Sequence, residues 1–201
     1  LLRRQMVRSY RKPLVIMTPK SPLRRKITFS TLEDLAGDKF DNVIGELDPL
    51  KPAEVRRVVA CSGKVYYDLL EARRERSITD IAIIRVEQLY PFPAEELTQQ
   101  FRAYPAAREV VWCQEEPQNQ GAWFSIQDAL RACLRSGQDL FYAGRMPMAA
   151  PAGGDYHKHL ERQKLLVDTA LAAGSAEARG KTLQPQLASS HTPAKAAGGA
   201  H

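Results

Sequence analysis

At 201 residues, 44% of them hydrophobic, the chain has material for one ordinary domain with a real core and requires no second domain. Its formal charge of +6 is local: Arg3, Arg4, Arg8, Arg11, Lys12, Lys20, Arg24, Arg25 and Lys26 crowd residues 1–26 with no acid among them, so the remainder is net acidic. No apolar run of membrane length and no leader with a cleavage site appears, the pattern expected of a soluble intracellular protein, and the start in LLRRQMVRSY without Met is that expected of a piece of a longer polypeptide.

In chain order, Leu1–Arg11 is compatible with a helix ending before Pro13. Leu14–Met17 (LVIM) predicts a short buried strand, and Thr31–Leu35 a short helix capped by Ser30 or Thr31. From Arg57 the rhythm is regular. Strands are predicted at Val58–Cys61, Ile81–Val86, Val110–Cys113 and Leu140–Ala143, alternating with helices at Lys64–Arg76, Ala94–Tyr104 and Ser125–Leu134. Strands and helices of these lengths imply crossover units, giving a three-layer α/β fold with a mainly parallel five-stranded sheet and helices on both faces. His157–Thr169 predicts a closing helix, and residues 173–201, rich in Ala, Gly, Ser and Pro, an expected disordered tail.

The densest chemistry follows the strand Val110–Cys113. Gln114, Glu115, Gln118, Asn119 and Gln120 are set between Cys113 and Trp123 around Pro117 and Gly121, a turn rigid enough to present them at the carboxyl edge of a sheet, where ligands and partners collect. A well-capped strand-to-helix turn accounts for the same residues. Lys64 follows Ser62-Gly63 at a helix start, where free N–H groups favour anions, although neither G-x-x-x-x-G-K-[ST] nor G-x-G-x-x-G is present. Arg85 and Glu87 are expected to pair with Glu115 and Glu116 at a neighbouring strand end. Cys61, Cys113 and Cys133, odd in number and widely spaced, read as reduced core residues. The pair His157 and His159 lacks an evident third metal ligand, and no nucleophile–base set assembles, so neither a catalytic nor a metal constellation is assigned. The basic strip attracts phosphates or an acidic partner surface; nucleic acid is the weaker choice, because Tyr10 is its one interleaved aromatic residue.

Five segments in order, LLRRQ at the start, KPLVIMTPKSPLRRK (12–26), SGKVYYDLL (62–70), IAIIRVEQLYPFP (81–93) and QEEPQNQGAW (114–123), strongly resemble the carboxyl-terminal domain of 2-oxoglutarate dehydrogenase, the thiamine-diphosphate-dependent decarboxylating component of the 2-oxoglutarate dehydrogenase complex. The resemblance covers residues 1–172 and implies a fold like the transketolase carboxyl-terminal domain. It also implies thiamine diphosphate and Mg²⁺ held by domains absent from this chain, a homodimer, and a lipoyl-bearing succinyltransferase core as partner, in a cytoplasmic or mitochondrial-matrix setting with the cytoplasm favoured. Neither nucleic acid nor membrane is implied. On this reading Gln114, Glu115, Gln118, Asn119, Gln120 and Trp123 line an interdomain or dimer contact, and Arg3, Arg4, Lys20, Lys64 and Arg145 can reach a regulatory anion. Two alternatives stay open: a stand-alone module binding acyl-CoA or a nucleotide, and a homologue specific for 2-oxoadipate.

Overall fold

The protein is described by a computed structural model covering residues 2–7, 9–16, 18–37 and 40–172, the side chains of residues 2–4 and 35 excepted. The expected tail, 173–201, and the side chains of Arg3 and Arg4 lie outside the described residues. The chain divides into two compact units, with the division after Phe40.

The first unit is mostly irregular. Helix α1 (Leu2–Val7) stops short of the predicted span, and two 3₁₀ turns occupy Ser21–Arg24 and Lys26–Thr28. Helix α2 (Leu32–Leu35) is fixed by a capping box: the Asp34 N–H donates to Thr31 Oγ1 at 3.1 Å, and the Thr31 N–H to Asp34 Oδ2 at 2.9 Å. The strand predicted at Leu14–Met17 is not there. Leu14, Val15 and Ile16 run exposed and unpaired in irregular backbone between Pro13 and Pro19, whose rings remove ladder donors at both ends, and Met17 lies outside the described residues.

The second unit carries the sheet. Its strands are β1 (Val43–Ile44), β2 (Arg57–Cys61), β3 (Ile81–Val86), β4 (Glu109–Pro117) and β5 (Asp139–Arg145), in the spatial order β1-β3-β2-β4-β5. β2 pairs in parallel with β3 and β4, and β4 with β5; only β1 is antiparallel, on the outer edge of β3. The five-stranded, mainly parallel sheet is therefore as predicted, but its fifth strand is Val43–Ile44 rather than the LVIM run.

Because side chains alternate along a strand, β2 sends Val58 and Ala60 to one face, and Val59 and Cys61 to the other. On the first face they join Ala82, Ile84, Val110 and Trp112 in one cluster with Leu97 and Phe101 of α4 (Ala94–Arg102) and Ile126 and Leu130 of α5 (Trp123–Ala132). The second face is covered by α3 (Val65–Glu75) and α6 (Tyr156–Leu171), which also pack on each other. Three layers result, with both strand faces apolar, as a buried parallel sheet requires. All three cysteines are buried free thiols, and burial pushes the Cys61 and Cys113 thiols up, away from the reactive thiolate.

Two buried arginines tie the layers together. Arg57, 4% exposed, is ion-paired with Glu109 at 2.7 Å and donates to the Ala170 carbonyl at 3.1 Å, so a cation caps the last turn of α6. Arg73 on α3, 1% exposed, is held by Glu46 and Asp48, and donates to the Ile81 carbonyl at 3.0 Å; Glu46 also accepts from the Ile83 N–H at 2.8 Å. The stretch leading into β2 is thereby pinned to α3 and β3.

The hydrogen bond from Arg74, opposed by desolvation and reinforced by Arg73, lowers Asp48 from the ordinary 3.8 to about 2. A carboxyl depressed in the folded state stabilises the fold above its unfolded pKa, and that contribution is lost as pH falls through the folded value. Acid titration is accordingly expected to lower stability between about pH 4 and pH 2, with a shallower fall in Asp48→Asn, as read from urea midpoints at stepped pH.

Candidate functional site at the carboxyl ends of the strands

β2 leads to β3 on one side of the sheet, while the chain crosses over to place β4 on the other, so connections diverge between the carboxyl ends of β2 and β4. Ligands of open α/β sheets bind at such switch points. A crevice of about 430 Å³ opens there, lined among others by Ser62, Gly63, Leu89, Tyr90, Gly121 and Ser125.

Gln114 organises its wall. The side chain is 3% exposed, and its Oε1 accepts from the Trp112 indole Nε1 and from the Trp123 backbone N–H, both at 3.0 Å. Its Nε2 donates to the carbonyls of Gln120 at 2.8 Å, Pro117 at 3.2 Å and Glu116 at 3.3 Å. One carboxamide thus closes the turn, anchors the first residue of α5 and satisfies the buried indole. Gly121 makes the closure possible: its φ is +66°, and a Cβ there would come within 2.9 Å of Glu116 Cβ and 3.0 Å of Gln114 Nε2. Asn119 and Gln120 fasten the turn to the next connection. Asn119 Nδ2 donates to the Met148 carbonyl and Asn119 Oδ1 accepts from the Met148 N–H, each at 3.0 Å; Gln120 Nε2 reaches the same carbonyl at 3.2 Å. The Gln118 N–H donates to the Arg145 carbonyl at 2.9 Å. Trp123, 6% exposed, tilts against Tyr142 with ring centroids 5.0 Å apart.

Lys64 and Arg145, far apart in sequence, meet in one network. Lys64 is ion-paired with Glu115, whose Oε1 also accepts from Gln163 Nε2 at 2.8 Å. Gln163 Nε2 reaches Asp68 at 2.9 Å, and Gln163 Oε1 accepts from Arg145 Nη2 at 3.1 Å. Arg145 Nη2 also meets His159 Nδ1 at 3.1 Å, where the imidazole nitrogen must accept because a guanidinium has no lone pair to offer. Lys20, the third cation that can be placed, is exposed at the head of the Ser21–Arg24 turn in the first unit.

The expected pairing of Arg85 with Glu115 and Glu116 does not form. β2 lies between β3 and β4, which separates those strand ends by two strand spacings, about 10 Å. Arg85 pairs instead with Glu87 at 2.7 Å, and its guanidinium stacks 4.8 Å from the Tyr66 ring centroid. Sequence reasoning also missed Gln163 as a bridge and His159 as the acceptor for Arg145. The signal was available in their four-residue spacing, which puts both on one face of α6. Two exposed aromatic rings, Tyr90 at 90% and Phe124 at 60%, were missed as well.

Compared with known proteins, residues 29–171 match the family 2-oxoglutarate dehydrogenase C-terminal. The chain is similar to proteins named 2-oxoglutarate dehydrogenase E1 component: it is 55% identical over 172 residues to that of Cupriavidus necator, covering 86% of this chain and 18% of that protein. With the Coxiella burnetii protein the identity is 52% over 173 residues, covering 85% and 18%, and with the Azotobacter vinelandii protein 53% over 173 residues, covering 85% and 18%. The chain spans about one fifth of the length of these relatives. A family match across most of the chain, with identity above half, goes together with a doubly wound sheet whose carboxyl-end turn is built from the motif residues themselves: the chain belongs to the 2-oxoglutarate dehydrogenase C-terminal family.

Proposed function

We propose that this chain is the carboxyl-terminal assembly domain of a 2-oxoglutarate dehydrogenase, with its boundary after residue 172, and that its switch-point face docks on the rest of the polypeptide and across a homodimer. The observation that carries this reading is the contrast at that face. The turn is locked from within by Gln114 and fastened to Met148 by Asn119, yet Tyr90 and Phe124 stand 90% and 60% exposed beside it. Exposed aromatic rings on a rigid support are what a docking surface offers, because they bring large contact area and little entropy to lose. Gln114 and Trp123, both buried, serve the contact by fixing the plate, while Gln118, Asn119 and Gln120 lie at its surface.

Two of the carboxylates at the strand ends have partners within the domain: Glu115 holds Lys64 and Gln163, and Glu87 holds Arg85. Paired in this way they do not fit a Mg²⁺–pyrophosphate site, which supports the reading that thiamine diphosphate and Mg²⁺ are held by other domains of the full enzyme. The full enzyme decarboxylates 2-oxoglutarate and passes the succinyl unit to the lipoyl group of a succinyltransferase core, in the cytoplasm of a bacterial cell. Among the described residues no helix is long and apolar enough to cross a membrane.

The test replaces Tyr90 and Phe124 together by serine in the full-length polypeptide. Exposed rings contribute little to the domain itself, so its melting midpoint should move by no more than about 2 °C while the dimer dissociates and decarboxylation falls at least about tenfold. An unchanged sedimentation coefficient with unchanged activity would refute the docking role.

A further inference from the structure

We propose that a second cavity, at the end of β5 and bordered by Gln118 of the turn, binds a small amphipathic carboxylate: an anionic head with a short apolar body. It lies between the end of β5, the segment 146–148 and α6, and has a volume of about 360 Å³, the size of a small-molecule site. Arg145 and Arg162 supply two guanidiniums, and Met146, Met148, Leu165 and Leu166 supply apolar walls.

The charges are what call for a ligand. Neither arginine has an ion-pair partner among the described residues. Arg145 spends Nη2 on two neutral acceptors, His159 and Gln163, and its Nε is buried with no acceptor at all. Arg162 finds only the Met148 sulfur, a weak acceptor, at 3.5 Å. Elsewhere the protein neutralises its buried arginines with carboxylates, as Arg57 with Glu109 and Arg73 with Glu46. Arg145, half-buried with its Nε shut away from solvent, has no such carboxylate, exposed Arg162 lines the same cavity beside it, and a planar carboxylate matches the guanidinium fork.

The walls select the rest of the molecule. Two methionines adapt to an irregular apolar body, and Leu165, 46% exposed, gains cover from one. Inorganic phosphate would satisfy the cations and leave the walls wet; a neutral alcohol would fill the walls and leave the cations unmatched. Although Gln118 borders both, neither Tyr90 nor Phe124, on which the docking role turns, lines this cavity, so this inference does not depend on that role.

The experiment titrates octanoate, octan-1-ol and inorganic phosphate into the full-length polypeptide by calorimetry at low and high salt. Octanoate should bind saturably at one site per chain, more weakly in high salt, and at least about tenfold tighter than either the alcohol or phosphate. Arg162→Gln, at an exposed position that leaves the fold intact, should weaken octanoate about tenfold, and Thr169→Phe, which fills the cavity, should abolish binding. Absence of octanoate binding, equal binding of alcohol or phosphate, or an affinity that Arg162→Gln leaves unchanged would overturn the proposal. If Thr169→Phe does not fold, the Arg162→Gln comparison decides alone.

Discussion

Arg73→Met is expected to cost the fold about 3–5 kcal/mol, the loss typical of removing one partner from a buried ion pair. The methionine keeps most of the volume, so the loss isolates charge from packing. Without the guanidinium, Glu46 is left as a carboxylate with no cation and only the Ile83 and Asp48 N–H groups, each at 2.8 Å, to hold it, and the Ile81 carbonyl loses its 3.0 Å donor. Asp48 keeps Arg74 and suffers less. Arg73→Lys should rescue only part of the loss, because one ammonium cannot serve Glu46, Asp48 and Ile81 together as the guanidinium fork does. Replacing Arg73 and Glu46 together by Met and Leu should be milder than Arg73→Met alone, since it removes the stranded charge. Urea unfolding of the four proteins measures all of this, and an Arg73→Met cost below about 1 kcal/mol would show that the cluster is ornamental.

Gln114→Ala comes second, at about 2–4 kcal/mol, and its effect reaches further than stability. The Trp112 indole N–H and the Trp123 N–H lose a shared acceptor in a dry setting, and the carbonyls of Glu116, Pro117 and Gln120 lose a shared donor. Within the turn only the Gln120 N–H to Pro117 carbonyl bond at 2.8 Å then remains, so the docking face should lose its shape and the full-length polypeptide its association. Gln118→Ala, in which the changed side chain makes no hydrogen bond among the described residues, is the matched control and should stay within about 0.5 kcal/mol. Equal effects of the two substitutions would mean that the turn is held by its backbone rather than by the buried carboxamide.

Those two residues also mark the limits of what the sequence discloses. The strands and helices from Arg57 onward were legible because their periodicity is strong: β3 has the predicted bounds, and each helix end moves by at most a few residues. The edge strand was not. Val43–Ile44 is two residues long and exists because β3 offers it an edge, whereas LVIM has the composition of a strand and no ladder to join. The cluster QEEPQNQG could be located but its members could not be ranked. Which glutamine is buried depends on Trp112 and Trp123 closing over Gln114, a tertiary fact. Likewise Glu46 and Asp48 precede Arg73 by 27 and 25 residues, a spacing that follows no local rule, and Phe124 looks like its neighbour Trp123 until the helix turns one inward and the other out.

Hydroxyl-radical footprinting of Tyr90 and Phe124, in the isolated 201-residue chain and in the assembled full-length polypeptide, tests the docking face most directly. Both rings should label fast in the isolated chain, in line with their 90% and 60% exposure, and both should be strongly protected on assembly. Equal labelling in the two states would place the contact elsewhere on the domain and contradict a docking role for the carboxyl ends of the strands.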